Sequence, residues 1–355
     1  MAQRSSTPSA KPCRDIVVIG SSAGGVTALL DLAAALPPDF PAPIFVVHHV
    51  GAGSASVLPQ LMNRVSALTV KHADDGEKMQ PGFIYIARPD HHLLIENDQV
   101  LITKGPKENR FRPSIDALFR SAAYSYGPRV IGIILTGYLD DGTSGLWAIK
   151  RLGGLTVVQE PKDAEFPDMP LNALQFVAAD YVVPVVELAS LLTRLTLEPV
   201  SAKKRADKAE LELLQLELAI AKQGNAFELG IIERGVLTSF TCPDCHGALT
   251  QLIEGDLIRF RCHTGHAYTV SALLGEVTES VESMLYQSMR GLEETKMLLQ
   301  RLGEHFGRVK QPAVADLFLR KAEQTAKQAR IVHDSILEHQ SLSGDLQFDI
   351  KTEIP

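Results

Sequence analysis

The chain has 355 residues, 45% of them hydrophobic and 22% charged, which is ordinary globular composition for two or three folded units. Lys and Arg number 35 against 42 Asp and Glu, and the formal net charge of −7 disfavours broad binding to nucleic acid or anionic membranes. No apolar stretch approaches the roughly 18 residues needed to span a bilayer, and the N-terminus MAQRSSTPSAKPCRD lacks the apolar centre of a signal peptide, so a cytoplasmic protein is expected.

Residues 1–13, rich in Ser, Pro and Lys, read as a disordered tail. From residue 14 to 197, apolar runs alternate with helical patterns. Strands are expected at 16–19 (IVVI), 44–48 (IFVVH), 83–86 (FIYI), 99–103 (QVLIT), 130–136 (VIGIILT), 155–158 (LTVV) and 181–183 (YVV). Helices are expected at 25–36, 56–66, 114–125, 144–151 and 187–196. Continuous apolar runs favour strands buried on both faces, so this part is an α/β domain with a mostly parallel sheet and helices on both faces. Residues 198–237 form a helical linker whose Leu211, Leu214, Leu218 and Ala221 fall at heptad-like spacing. Such a helix either packs on a neighbour or pairs with a second chain. Residues 238–270 carry three of the four cysteines, and 271–355 read as a helical hairpin and tail, broken near Gly307 and Pro312.

The stretch IVVIGSSAGG at 16–25 ends the first strand in a small-residue turn. Its glycines do not follow G-x-G-x-x-G, and no Lys follows Gly25, so neither a dinucleotide turn nor a P-loop fits. Gly20-Ser21-Ser22-Ala23-Gly24 does match G-x-S-x-G, the turn that lifts a nucleophilic serine above a sheet, though the pattern also suits a purely structural turn. The next strand ends in His48-His49, and the strand at 130–136 runs into Asp140-Asp141-Gly142. A serine, an imidazole base and a carboxylate at the carboxyl ends of parallel strands are the parts of a hydrolytic triad. Spacing leaves open which His and which Asp would serve. The order Ser…His…Asp differs from that of α/β-hydrolases and argues for another fold family.

Taken with DGEKMQPGFIYIARPDHHL, NRFRPSIDALFRSAA, GIILTGYLDDGTSG and DMPLNAL, these motifs resemble the catalytic domain of bacterial chemotaxis protein-glutamate methylesterases of the CheB type, over residues 14–197. By motif position the resemblance implies Ser22 as nucleophile, His49 as base and Asp141 as acid, with His48 and Asp140 as bystanders. It implies hydrolysis of glutamate γ-methyl esters, and in some relatives glutamine deamidation, on chemoreceptors or related sensory proteins, with no cofactor for catalysis. Arg110, Arg112 and Asp116 are candidates to shape the edge that meets a receptor helix, and Tyr138 is a further substrate-binding candidate. Ala23 stands where many members have Thr, and Tyr138-Leu139 where Met-Gly is frequent, so specificity is the property these departures touch. Only about 14 residues precede the first strand, and control by an attached N-terminal receiver is not expected. The rival readings are a non-catalytic sensory scaffold and an esterase for another ester.

Cys242-Pro243-Asp244-Cys245 is followed by Cys262 and then His266. C-x₂-C…C-x₃-H supplies four zinc ligands, and the intervening segment reads as a hairpin around Glu254-Gly255-Asp256, so a structural zinc ribbon is expected. His246 and His263 are spare ligands. Four ligands leave no open position for catalysis, and a contact role with an unidentified protein partner suits the ribbon better than nucleic acid. So small a module would draw much of its folding energy from the metal. The α/β domain, with its own core, would keep its fold and its serine reactivity without it.

Overall fold

The computed structural model describes residues 13–51, 53, 56–200 and 207–339. The tail expected over 1–13 lies outside these apart from Cys13, which bridges to Pro199. In chain order the first nine strands are β1 (Ile16–Ser21), β2 (Ile44–His48), β3 (Thr69–His72), β4 (Phe83–Ile86), β5 (His92–Glu96), β6 (Gln99–Thr103), β7 (Val130–Ile134), β8 (Leu155–Gln159) and β9 (Tyr181–Val183). Seven of them form one sheet in the order β3-β4-β2-β1-β7-β8-β9, with every pairing parallel. β5 and β6 make a separate antiparallel hairpin.

Alternate residues of the central strands face opposite sides, and both sides are apolar. Ile16 and Val18 pack with Phe45 and Val47 against α3 (Ile115–Tyr126), α4 (Thr143–Arg151) and α5 (Asp168–Phe176). Val17 and Ile19 pack with Ile44 and Val46 against α1 (Gly25–Ala35), α2 (Leu58–Asn63) and α6 (Val185–Leu197). Each fully buried Val, Ile or Leu contributes roughly 1.5–3 kcal/mol of transfer free energy, and these two layers hold the sheet.

Three elements of the α/β domain were not anticipated. β3 buries only Val70 among its four residues and so lacks a long apolar run. β5 turns into β6 through Asn97 and Asp98, both at positive φ (50° and 59°), a two-residue hairpin turn that these residue types tolerate. α5 carries Pro170 in its first turn, where no helical donor is lost.

The helix expected in the linker is α7 (Lys208–Ala221), started by a capping box between Asp207 and Glu210. Its buried Leu214 joins the core layer that contains Leu118 and Ala122 of α3, so it packs on a neighbour, the plainer of the two readings. An antiparallel sheet follows in the order β10 (Val236–Thr241), β11 (Ala248–Glu254), β12 (Leu257–Cys262) and β13 (Ala267–Thr269). β11 and β12 are joined through Gly255 (φ 64°) and Asp256, at the expected hairpin turn.

This ribbon is not a free-standing module. Arg259 and Arg261 of β12 are fully buried together with Arg120 of α3, and they meet Glu108, Glu217 of α7 and Glu254 of β11. Arg261 reaches Glu108 at 2.9 Å, and Arg259 reaches Glu254 at 2.8 Å and Glu217 at 3.3 Å. Ser144 of α4 donates to Glu254 at 2.7 Å. A buried ionic seam therefore joins the ribbon to the α/β domain.

The chain divides into two compact units, Met1–Ala272 and Leu273–Pro355. The second holds all but the first three residues of α8 (Val270–Arg308) and the whole of α9 (Pro312–Glu338), a helical hairpin turning at residues 309–311. Within it Phe306 stacks on Phe318 at 5.4 Å, and the His339 ring donates to Thr278 O at 3.0 Å.

Candidate active site

β2, β1 and β7 are neighbours in the sheet, so the residues that follow them lie side by side. β1 is also where the chain reverses its direction of travel across the sheet, and such switch points leave a crevice at the strand ends. Ser22 N–H donates to Thr136 O at 3.0 Å, and His49 N–H donates to Ser21 O at 3.1 Å, which ties the three strand ends together. The elbow needs its small residues. Gly24 caps α1 at φ 73°, and a Cβ on Gly137 would lie 2.7 Å from Ser22 Cβ and 2.5 Å from Met169 Sδ.

Ser22 Oγ lies 3.3 Å from His49 Nδ1, and His49 Nε2 lies 2.8 Å from Asp141 Oδ2. The Phe111 ring stacks on the imidazole with centroids 3.7 Å apart and planes 8° from parallel. Asp141 sits on the N-terminus of α3. It accepts from Ile115 N–H at 2.7 Å, Ser114 Oγ–H at 3.0 Å and Asn109 Nδ2 at 3.0 Å. Burial alone would raise its pKa, but the bond and charge of His49, the Asn109 amide and the Ile115 N–H together hold the carboxyl below its usual value. A carboxylate so placed can only accept, which makes Nε2 the protonated nitrogen and leaves Nδ1 to accept from Ser22.

The neighbouring pair behaves differently. Ser21 Oγ lies 3.0 Å from His48 Nδ1, but Ser21 is fully buried, and burial with the nearby His49 lowers the His48 pKa to about 4. His48 is thus neutral, half-buried and turned to Ser21 instead of Ser22. Asp140 is likewise turned away, accepting from Thr269 Oγ–H at 2.7 Å. Leu139 sits at φ 62°, a left-handed conformation costing a non-glycine residue about 1–2 kcal/mol, and its carbonyl accepts from Asn172 at 2.8 Å.

A cleft of about 470 Å³ opens over Ser22 and His49, lined by the basic residues Lys107, Arg110 and Arg112 and by Asp90. Arg112 is engaged with Asp90 at 2.6 Å and donates to Gly105 O at 2.8 Å. Tyr138 is half exposed, packs on Phe166 at 4.6 Å and is not among the residues lining the cleft. Asp116 does not shape an exposed edge. It is fully buried, accepting from Gly145 N–H at 2.6 Å and Asn109 Nδ2 at 3.0 Å. Asn109, Phe111 and Ser114 were not singled out from the sequence. The signal for Ser114 was present, since a serine opening the apolar run IDALF is a helix N-cap, and a helix N-terminus attracts a carboxylate. Asn109 and Phe111 act through contacts that no local spacing announces.

Cys242, Cys245, Cys262 and His266 bring their ligand atoms within 4.8 Å of one another. Cys245 Sγ lies 3.6 Å from Cys262 Sγ, and His266 Nδ1 lies 3.7 Å from the Sγ atoms of Cys242 and Cys262. A tetrahedron with Zn–S bonds of ~2.3 Å has edges of ~3.8 Å, so the donor set and its spacing fit that ion. His246 and His263 are outside the group.

Serine, imidazole and carboxylate in a hydrogen-bonded line, at the switch point of a parallel sheet, are the arrangement that α/β serine hydrolases use. Residues 17–192 match the CheB methylesterase family. A relative from Leptospira interrogans, provisionally named protein-glutamate methylesterase/protein-glutamine glutaminase, is 40% identical over 182 residues, which cover 51% of this chain and 94% of the relative. A Thermotoga maritima protein named protein-glutamate methylesterase/protein-glutamine glutaminase is 39% identical over 184 residues, or 51% of this chain and 54% of that protein. The crystal structure of the Thermotoga maritima CheB methylesterase catalytic domain is similar at 39% identity and a TM-score of 0.49, covering 51% of this chain and 98% of that one. The chain belongs to the CheB methylesterase family.

Proposed function

We propose that this protein hydrolyses glutamate γ-methyl esters, and by the same chemistry deamidates glutamine, on chemoreceptors or related sensory proteins. Ser22 is the nucleophile, His49 the general base and Asp141 the acid that orients it. His49 Nδ1 takes the proton of Ser22 as Oγ attacks the ester carbonyl. Asp141, receiving the Nε2 proton as a hydrogen bond, stabilises the imidazolium that results. α1 starts three residues after Ser22, so the positive end of its dipole lies beside the forming oxyanion. The imidazolium returns its proton to the leaving methoxide, or to the leaving amine during deamidation. Water then enters on His49 and releases the free carboxylate. The Ser22–His49 separation of 3.3 Å is long for proton transfer, as is usual without substrate.

The observation that carries this reading is the line Ser22–His49–Asp141 itself. The basic lining of the cleft suits a substrate surface that carries carboxylates beside its esters. No helix among the described residues is long and apolar enough to cross a membrane, which suits a cytoplasmic enzyme working on the inner part of a receptor. The Cys242, Cys245, Cys262 and His266 group holds one structural zinc, its four ligands leaving no open position. The test is release of labelled methyl groups from methylated receptor. Wild type should release them and Ser22→Ala should not; undiminished release by Ser22→Ala rejects the serine mechanism.

A further inference from the structure

The ribbon touches the triad. Asn109 N–H donates to Ala267 O at 2.8 Å, and Ala267 N–H donates to Lys107 O at 3.2 Å, so residues 107–109 run as an added rung along β13. Two residues further along that strand, Thr269 N–H donates to Asn109 Oδ1 at 2.9 Å. An N–H can only donate, and this fixes the end-for-end orientation of the amide. Asn109 Nδ2 must point the other way, where it donates 3.0 Å to Asp141 Oδ1 and 3.0 Å to Asp116 Oδ2. One buried NH₂ group thus stands between two buried carboxyls. From the same segment, Thr269 Oγ–H holds Asp140, the residue before the acid. The tight turn between Glu108 and Phe111, bonded at 3.1 and 2.9 Å, carries the ring that lies on His49.

We propose that Asn109 is a positioning residue for Asp141, and that strand β13 of the ribbon holds Asn109 in its working orientation. The proposal rests on reading Ser22, His49 and Asp141 as the triad. Without the Asn109 NH₂, Asp141 and Asp116 lose the amide donor they share. Asp141 Oδ1 then loses a bond that fixes how Oδ2 meets His49. Without the ribbon, nothing holds Asn109 Oδ1, and the amide is free to flip or leave. The acid and the stacking ring on the imidazole are thereby anchored to three residues that directly follow His266. The ribbon is on this account a wall of the catalytic centre, outside the stretch that matches the family.

The test uses the full chain and a fluorophosphonate that phosphonylates reactive serines, with saturation kinetics separating KI from kinact. This readout needs the triad but not the receptor. Wild type should be labelled at Ser22; no labelling there removes the triad reading and this proposal with it. Asn109→Ala should lower kinact roughly 10- to 100-fold while KI stays within about twofold, because one hydrogen bond to a charged group is lost away from the cleft. Cys245→Ser, which damages the ribbon and leaves residue 109 intact, should lower kinact in the same way without moving KI. In the double variant the two losses should overlap instead of multiplying. Equal kinact in wild type and Asn109→Ala, or a double variant whose loss is the product of the singles, overturns the proposal. So does a fall confined to the fraction of labelled chains at unchanged kinact, which would make Asn109 a folding residue only.

Discussion

Between β1 and its neighbours the buried side chains are Val, Ile and Phe, whereas between α3, α7 and the ribbon they are Arg120, Arg259, Arg261, Glu108, Glu217 and Glu254. The two regions lie behind the same site, and they support it by different means. An apolar layer stabilises without caring much about angle, and it tolerates exchange of one aliphatic residue for another. A buried ionic cluster gains little net stability after desolvation, but each removed partner leaves an uncompensated charge. The sheet therefore supplies the fold, while the seam supplies an orientation for the ribbon, and through Asn109 for the acid.

The largest expected effect is metal removal. Structural zinc in small modules is worth on the order of 10 kcal/mol or more of folding free energy. Purified protein should contain one zinc per chain, and Cys242→Ala should lose it. On chelation, hydrogen exchange should rise first over residues 238–270 and then over 107–111, which β13 holds. The strands β1, β2 and β7 should stay protected. Equal deprotection of sheet and ribbon would erase the distinction between them, and zinc well below one equivalent would leave the cluster as buried thiols.

Next comes the site carried by the sheet. Ser22→Ala and His49→Ala should each cut turnover by roughly 10⁴- to 10⁶-fold, because members of a triad act as a unit. Asp141→Asn should also be severe. Asp140→Asn should matter far less, since that carboxylate faces Thr269 and not the imidazole. Melting temperatures should barely follow these losses, because none of the first three substitutions opens the apolar layers.

How far the sequence discloses each region follows from the same contrast. Strand runs such as VIGIILT and IFVVH are legible because burial on both faces leaves a continuous apolar stretch. The turn after β1 is legible because its glycines are demanded locally. The metal group is legible because its ligands sit in two short spacings. The seam is not, since Arg120, Glu217 and Arg261 come from three elements and each looks like an ordinary surface charge in its own helix or strand. Asn109 is hidden for the same reason: its partners are at 116, 141, 267 and 269. Choosing Asp141 over Asp140, and His49 over His48, also needs more than spacing, because each pair alternates direction along one short stretch.

A medium effect should separate core from seam directly. Leu29→Ala in the apolar layer should cost about 2–5 kcal/mol, as a cavity does. Glu217→Ala should cost about 3–5 kcal/mol by stranding Arg259 and Arg261. The distinction lies in repair. Replacing Glu217, Arg259 and Arg261 together by Leu or Met should regain most of the stability measured by denaturant unfolding, yet serine reactivity should remain low if the seam serves orientation. Recovery of both would make the seam merely a filler.

The last comparison is the pH dependence of stability, whose sign differs from one group of buried carboxyls to the other. Burial and the adjacent Asp141 push Asp116 up to about 7, and burial pushes Asp140 up to about 6, from an ordinary value of 3.8. Between pH 3.8 and those values the folded chain keeps protons that the unfolded chain has released. Unfolding therefore releases protons, and rising pH favours it. The stabilisation from these two groups is complete below pH 3.8 and is lost as pH climbs through about 6 and then 7. Each retained proton gives a slope of about 1.4 kcal/mol per pH unit at most. Glu108 and Glu217 run the other way. Burial would raise them, but Arg120, Arg259 and Arg261 hold both below the usual 4.5, so their contribution is present above pH 4.5 and fades as pH falls below it. His48, held by burial at about 4, opposes the alkaline fall up to its ordinary 6.5, so denaturant unfolding from pH 3 to 8 should show stability falling on the acid side and again above about pH 6. Asp116→Asn should flatten the alkaline side of that curve and leave the acid side alone, while Glu217→Gln should flatten the acid side. A curve that Asp116→Asn leaves unchanged on its alkaline side would mean that Asp116 is ionised in the folded chain, with the Asn109 amide and Arg120 sufficient to carry two neighbouring negative charges.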